Sequence, residues 1–183
     1  MKCGGEINRS YNDGRTPLFA AALNGHEKIV ECLVKYGAEI NHADNDGRTP
    51  IYTAALSGQK KTVECLMKCG GEINRATNIN QTPLYAASCN GHEKIVESLA
   101  KYGAEINRAT NDGRTPLYAA ALNGHDTTVE CLVKSGSEIN CPHNHDCTPL
   151  FAAALNGHET TVECLMKCGA EINRADNDGR TPL

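Results

Sequence analysis

The chain repeats itself every 33 residues. Thr-Pro-Leu or Thr-Pro-Ile begins at positions 16, 49, 82, 115, 148 and 181, and Glu-Ile-Asn recurs with the same spacing from position 6 to position 171. A single compact domain would not need this regularity, whereas an array of stacked supersecondary units requires it. The period therefore predicts a repeat architecture.

Each repeat predicts two short helices followed by a turn. In the first complete repeat, Thr16 suits the N-cap of a helix and Pro17 its first turn. The small apolar residues up to Leu23 form this inner helix, which should end at Asn24 and Gly25. An outer helix is expected over about 27–36, and the next stretch turns at Asp-Gly like a β-hairpin finger. Helices this short do not persist alone in water, so stacking must stabilise them.

The repeat combines T-P-L, A-A, G-H, I/V-V-x-x-L and G-A/G-E-I-N, and it resembles the ankyrin repeat over essentially the whole chain. The resemblance implies an all-α fold, an ankyrin-repeat α-solenoid of helix–turn–helix units with β-hairpin fingers. One departure recurs. Where the family usually has His after T-P-L, this sequence has Phe19, Tyr52, Tyr85, Tyr118 and Phe151. We expect the family's histidine hydrogen bonds between loops to be absent or replaced by aromatic packing.

We expect one array over residues 1–183. It comprises a partial repeat at 1–12, complete repeats at 13–45, 46–78, 79–111, 112–144 and 145–177, and the start of another at 178–183. Residues 1–9 and 67–75 are identical, so the chain opens near the end of an outer helix. Such arrays normally close with polar-faced end repeats, which predicts a fragment of a longer chain. The alternative is a short natural protein that covers its ends by self-association.

Ten cysteines raise the rival hypothesis of a secreted disulfide framework. Four of them occupy the same place in the phrase V-E-C-L: Cys32, Cys65, Cys131 and Cys164. The third complete repeat has Ser98 at that place. A small residue recurring beside Val and Leu predicts a packing position with reduced thiols. The net charge of −4 gives no reason to expect nucleic acid, and no apolar run suits membrane insertion. We therefore expect a cytoplasmic protein, with the nucleus as the alternative.

No catalytic motif stands out. The sequence lacks a glycine-rich phosphate loop, a G-x-S-x-G elbow and an H-E-x-x-H helix, so we predict neither an enzyme nor a cofactor. One histidine per repeat cannot bring three ligands to one ion, which predicts a structural role for the N-G-H histidines. These are His26, His92, His125 and His158.

The stretch C-P-H-N-H-D-C departs most from the other fingers. Its potential zinc ligands are Cys141, His143, His145 and Cys147. Their alternating spacing would need a strained wrap around the ion, and the arginines nearby disfavour a cation; these are Arg108, Arg114, Arg174 and Arg180. A disulfide between the two cysteines and a reactive thiol are further alternatives. We favour a finger tip that binds no metal and either faces a partner or has simply diverged in sequence.

Arginines occupy one register on successive fingers, each two residues after an aspartate. Gln81 and Cys147 interrupt the row, and Ile79 replaces one aspartate. We favour the interpretation that each Asp and Arg satisfy each other; a row of guanidiniums that binds a partner's carboxylates is the alternative. With the inner-helix ends, the partner-binding candidates are Arg15, Arg48, Ile79, Gln81, Arg114, His143, His145, Cys147, Arg180, Asn24, Ser57, Asn90, Asn123 and Asn156.

We predict a non-catalytic scaffold that binds another protein, of unknown identity, through a concave surface of fingers and inner-helix ends. The alternatives are an ankyrin segment of a larger enzyme, channel or ubiquitin-ligase component, and a zinc- or redox-sensitive module at Cys141–Cys147. The resemblance also implies that an intracellular oxygenase can hydroxylate Asn41 and the asparagines in register with it, Asn74, Asn107, Asn140 and Asn173. A bracing role for these asparagines in the turn is favoured.

Overall fold

The computed structural model describes residues 7–182 and forms ten helices over that range, with no β-strand within it. Seven-residue inner helices alternate with nine-residue outer helices. The inner helices are α1 (Pro17–Leu23), α3 (Pro50–Leu56), α5 (Pro83–Cys89), α7 (Pro116–Leu122) and α9 (Pro149–Leu155); the outer helices are α2 (Glu27–Lys35), α4 (Lys60–Lys68), α6 (Glu93–Lys101), α8 (Asp126–Lys134) and α10 (Glu159–Lys167). The predicted all-α repeat fold is confirmed. The expectations for residues 1–6 and 183 lie outside the described residues.

The chain divides into two compact units, Met1–Pro83 and Leu84–Leu183. In the first unit, α1 packs against α2 and α3, and α4 packs against both α2 and α3. In the second unit, α7 contacts α8 and α9, while α10 contacts α8 and α9, and α6 lies against α8. Within each unit, inner helices therefore stack on inner helices and outer helices on outer helices. The division into repeats at 13–45 and onward stays a prediction.

Each inner helix starts from the same hydrogen bond wherever it is resolved. The hydroxyls of Thr16, Thr49, Thr115 and Thr148 accept from the backbone N–H three residues later, at 3.1 to 3.3 Å. Pro at the first helical position needs no such partner, because it has no N–H. At the other end of α1, Gly25 adopts a φ of 71°, and a Cβ there would collide with the side chain of Gln59. The T-P-L and N-G signals therefore mark the helix ends as predicted.

The aromatic residue after T-P-L is buried and contacts a finger in each case where the contact is resolved. Tyr52 donates its hydroxyl to Gln81 Oε1 at 2.8 Å. The Tyr118 ring lies 4.8 Å from the His143 ring, and Arg180 lies 5.8 Å above Phe151. These polar and π contacts link Tyr52, Tyr118 and Phe151 to the following finger. Phe19 instead lies under Arg15 of the finger before it, 5.4 Å from the guanidinium carbon to the ring centroid. Aromatic packing thus stands where the family's usual histidine would be.

The V-E-C-L cysteines are not equally buried. Cys65 is buried and Cys131 and Cys164 are half-buried, but Cys32 is exposed, so the predicted packing position was wrong for Cys32. Carboxylates of the preceding outer helix lie near Cys65, Cys131 and Cys164, so these cysteines face that helix. The same motif therefore holds one exposed, two half-buried and one buried thiol.

Three outer helices bury a hydroxyl that has no partner. The Oγ1 atoms of Thr62, Thr128 and Thr161 are enclosed without a hydrogen bond. In α6 the equivalent position holds Ile95, which is fully buried. A buried hydroxyl without a partner costs free energy that an isosteric methyl group would not.

We expect Thr128→Val to raise the free energy of unfolding by about 1 kcal/mol, because it removes the unsatisfied hydroxyl and keeps the shape. Urea denaturation followed by circular dichroism measures the change. Thr127→Val, at the neighbouring exposed position, is the matched control and should change little. A loss of stability in Thr128→Val would show that the hydroxyl is satisfied in solution.

Candidate functional site

The candidate site residues lie on six fingers, three in each unit, which are the turns that precede each T-P-L. They are finger 1 (11–15), finger 2 (44–48), finger 3 (77–81), finger 4 (110–114), finger 5 (143–147) and finger 6 (176–180). In each, the N–H of the first residue donates to the carbonyl of the last at 2.8 to 3.1 Å, and the fourth residue donates back to the first at 2.9 to 3.0 Å. The fingers are closed by these two bonds and contain no β-strand in the described chain.

The fourth position of each finger needs a left-handed backbone. Gly47 supplies it in finger 2 with a φ of 81°. In fingers 3 and 5 the position holds Asn80 and Asp146, with φ values of 62° and 60°. Asn and Asp tolerate this conformation better than other side-chain-bearing residues. The two fingers whose sequences differ most therefore keep the same backbone.

Hydrogen bonds also join neighbouring fingers within each unit. In the first unit, the backbone N–H of Asn45 donates to the carbonyl of Asp13, and that of Asn78 donates to the carbonyl of Asp46, both at 3.0 Å. The side-chain amide of Asn78 adds a bond to the carbonyl of Asn45 at 3.0 Å. In the second unit, Asn144 and Asn177 donate in the same way to the fingers before them, at 3.3 and 3.2 Å. Backbone groups thus fix the spacing of the tips, whatever their side chains are.

The arginines of the row pair with carboxylates of their own fingers. Arg48 binds Asp44 at 2.8 Å and Asp46 at 2.7 Å. The same pairing recurs as Arg15 with Asp13 at 3.3 Å, Arg114 with Asp112 at 2.9 Å, and Arg180 with Asp176 at 2.7 Å and Asp178 at 2.9 Å. This geometry supports mutual satisfaction of Asp and Arg. A partner's carboxylate would have to compete with these pairs.

Three of these carboxylates have further contacts. The side chains of Asp44 and Asp176 are each only 1% exposed, and Asp44 accepts the backbone N–H groups of Asp46 and Arg48 as well as the Arg48 guanidinium. In finger 4, a hydrogen bond from Thr110, together with the Arg114 guanidinium, lowers the pKa of Asp112. An arginine substitution in finger 2 therefore removes a partner of a buried carboxylate as well as changing the surface.

The asparagines at the inner-helix ends are caps. Asn24, Asn90, Asn123 and Asn156 donate their side-chain amides to the carbonyl four residues earlier, at 2.8 to 2.9 Å. Ser57, the equivalent residue in the second repeat, is half-buried. These residues lie on the surface, but their amides also end the helices. Their binding role stays a prediction.

The four potential metal ligands in finger 5 and just before it lie in different environments. Cys147 is 9% exposed, and its Sγ lies 4.0 Å from Asp176 Oδ2. His143 Nδ1 accepts the backbone N–H of His145 at 2.9 Å, and the two rings lie 5.3 Å apart in a T-shape. Cys141 is half-buried with its Sγ 3.9 Å from the Pro142 carbonyl. Both cysteines are free thiols.

These environments oppose metal binding. Across residues 7–182, no group of three or more His, Cys, Asp or Glu side chains is arranged to hold an ion. The His143 Nδ1 lone pair already serves the turn. Burial raises the pKa of the Cys141 thiol and of the Cys147 thiol, so each would lose its proton less readily to a metal. His143 and His145 remain candidates for partner contact, while Cys147 faces the interior.

We expect reduced protein dialysed against zinc and then against buffer to retain no zinc at finger 5, because the turn would have to open to release His143 Nδ1. Elemental analysis of the full chain measures the stoichiometry. The variant Cys141→Ser/Cys147→Ser is the matched control for zinc held elsewhere. One zinc per chain that is lost only in this variant would contradict the expectation.

Asparagines of the E-I-N triplet brace neighbouring repeats. Asn8, Asn41, Asn107 and Asn140 each accept, through Oδ1, the backbone N–H of the Glu in the next E-I-N at 2.9 to 3.0 Å. Two N-G-H histidines also link repeats. Nε2 of His125 lies 3.1 Å from the carbonyl of Cys89, and Nε2 of His158 lies 3.0 Å from the carbonyl of Leu122, each at the end of the inner helix of the repeat before. These contacts match the structural roles that the sequence favoured.

The sequence did not single out Tyr52, Leu56 or Arg174 as candidates. Tyr52 and Leu56 help to line a small hollow beside Ile79 in the first unit. Arg174 contacts finger 5 through the Asp146 carboxylate at 3.3 Å. The first two have apolar positions in the inner-helix pattern, which predicts core, and only the stacking places them beside a finger.

Two buried or half-buried cysteines, each with a second cysteine four residues later, have strongly raised thiol pKa values. Burial, with Cys69 and the carboxylates of α2 nearby, raises the pKa of Cys65 to about 11. Burial and Cys168 raise the pKa of Cys164 to about 11 in the same way. In α8, Ser135 replaces the second cysteine; burial still raises the pKa of Cys131, but a hydrogen bond with Ser135 opposes it.

Alkylation with iodoacetamide should label Cys164 only when the pH approaches about 11, because the thiolate is the reactive form. Cys131 is equally half-buried and should react at lower pH. Peptide mapping of the intact chain over a pH series gives both profiles, and Cys168→Ser should move the Cys164 profile to lower pH. Identical profiles for Cys131 and Cys164 would contradict the role of Cys168.

Family profiles match nearly the whole chain. A profile of ankyrin repeats in three copies matches residues 1–77 and 75–143, and a profile of the single ankyrin repeat matches residues 145–177. No curated protein matches the sequence. No helix in the described part of the chain is long and apolar enough to cross a membrane.

Proposed function

Because the chain belongs to the ankyrin-repeat family, whose members generally mediate protein–protein interactions, we propose that it holds a partner protein on its finger tips and adjoining inner-helix ends. Members of the family are typically non-catalytic. The same surface would serve an array that acts alone or one segment of a larger enzyme, channel or ubiquitin-ligase component.

One observation carries this proposal: backbone bonds hold neighbouring fingers together while the tip side chains differ. The backbone N–H groups of Asn45 and Asn78 donate to the same position in the finger before them, and that position holds an aspartate in both cases, Asp13 and Asp46. Asn177 makes the equivalent bond to finger 5, where the acceptor residue is His145. Side chains can therefore change without loss of the frame. A rigid frame also lowers the entropy lost when a partner docks.

The charges of the fingers set how a partner approaches rather than how tightly it binds. Most arginines are already paired, and exposed pairs contribute little to affinity. Uncharged departures such as Ile79 can bury surface without breaking a pair. We therefore place specificity at fingers 3 and 5 and a steering role at the Asp–Arg pairs.

The test uses the full chain as bait in quantitative affinity capture. Ile79→Asp/His145→Asp gives fingers 3 and 5 the aspartate of the other fingers, and we expect it to reduce capture of specific partners at least about tenfold. Ile29→Asp/Thr127→Asp, at exposed positions on α2 and α8, is the matched control and should capture normally. Arg48 is not changed, because Asp44 depends on it.

Circular dichroism of both double variants must remain helical. Loss of the partners with the outer-helix variant, and their retention with the finger variant, would move the binding surface to the outer helices and refute the proposal.

A further inference from the structure

Finger 3 has an aliphatic side chain at a tip position that is otherwise charged or polar. Ile79 is 55% exposed. The same position in the other fingers holds Asp13, Asp46, Asp112, His145 and Asp178. Two residues later, Gln81 replaces the usual arginine. Finger 3 has therefore lost both members of the Asp–Arg pair.

Ile79 and Gln81 both line a hollow between fingers 2 and 3 and α3. It encloses about 230 Å³, and its lining residues include Tyr52, Leu56, Ile79 and Gln81. The Tyr52 hydroxyl donates to Gln81 Oε1 at 2.8 Å, which holds both side chains at the wall. Tyr52, Leu56 and Ile79 thus line a space that is large enough to take an aliphatic side chain.

The rim of the hollow presents one exposed carboxylate. Asp46 and Arg48 line the hollow and bind each other at 2.7 Å. Arg48 also binds the buried Asp44 behind it, so finger 2 as a whole carries a net charge of −1. Finger 3 adds no compensating charge in Ile79 or Gln81. Asp46 is the accessible carboxylate, with 70% of its side chain exposed. A cation beside this rim is attracted and an anion is repelled.

We propose that this hollow binds a partner segment that inserts an aliphatic side chain between Tyr52, Leu56 and Ile79 and places a Lys or Arg beside Asp46. The inference rests on the proposed function, which it deepens by naming the chemistry of the partner. The apolar insertion supplies affinity through buried area, and the cation supplies orientation.

A random peptide library displayed on phage and selected against the full chain tests the hollow, because the selection does not require the partner to be identified. We expect enriched peptides to contain an aliphatic residue next to Lys or Arg. Synthetic copies should bind at least about tenfold more weakly to Ile79→Asp/Gln81→Arg. This variant gives finger 3 the residues that finger 4 already has in Asp112 and Arg114, so the fold is expected to tolerate it.

Two further variants separate the parts of the proposal. Asp46→Asn should weaken basic peptides about two- to fivefold, and less at high salt, because it removes an exposed attraction. Ile29→Asp makes the same chemical change at an isoleucine that is 50% exposed on α2, and it should bind the peptides like the parent chain.

If enriched peptides bind the Ile79→Asp/Gln81→Arg variant as tightly as the parent chain, or if no peptide is enriched, the hollow is overturned as a binding site. If those peptides instead lose binding to His145→Asp, the proposed function stands and only its location changes. If every finger variant retains binding, both the hollow as a binding site and the proposed function are refuted. A second copy of this chain could instead fill the hollow with Ile29 and place Lys28 beside Asp46. Dimerisation that depends on concentration and that Ile29→Asp and Ile79→Asp each abolish would reveal this, and it would also overturn the proposal.

Discussion

Stacking between equivalent helices is the interaction on which the rest of the structure depends. Inner helices of seven residues and outer helices of nine are too short to be stable alone in water. Each gains its stability from the apolar side chains that it buries against its neighbour, such as Val30 and Leu66. The same stacking aligns one finger beside the next. The candidate site is therefore a consequence of the core, since its geometry follows the repeat spacing.

The fingers separate the bonds that hold the frame from the side chains that vary. Backbone groups and asparagine amides make the links between fingers, and these persist where the tip residue changes from Asp46 to His145. Paired charges satisfy most tips internally. Finger 3 is different because it has Ile79 and Gln81 in place of a charged pair, and both line a hollow whose rim presents the exposed Asp46 carboxylate. A chain of near-identical repeats can thus acquire a local preference by exchanging two side chains.

Finger 5 shows why ligand types alone do not make a metal site. Its cysteines and histidines are close in sequence, but the closed turn occupies His143 Nδ1 and directs Cys147 inward. Burial also raises the pKa of both thiols, so they give up a proton to a metal less readily. The same turn leaves His145 exposed at the tip. Contact with a partner is therefore the role that the geometry of this finger favours.

The sequence by itself determined the repeat, the helix ends and the fold class, because these depend on local signals: Thr-Pro at the start of each inner helix, Gly shortly after each helix, and a constant period. It also indicated correctly that Asp and Arg of one finger would pair, since they lie two residues apart. Only the tertiary structure decided which side chains are available. Cys32 and Cys65 share one motif, yet Cys32 is exposed and Cys65 is buried, because burial depends on what packs around each thiol and not on its own motif. The hollow beside Ile79 likewise combines residues from α3 and two fingers, which the chain brings together only by stacking.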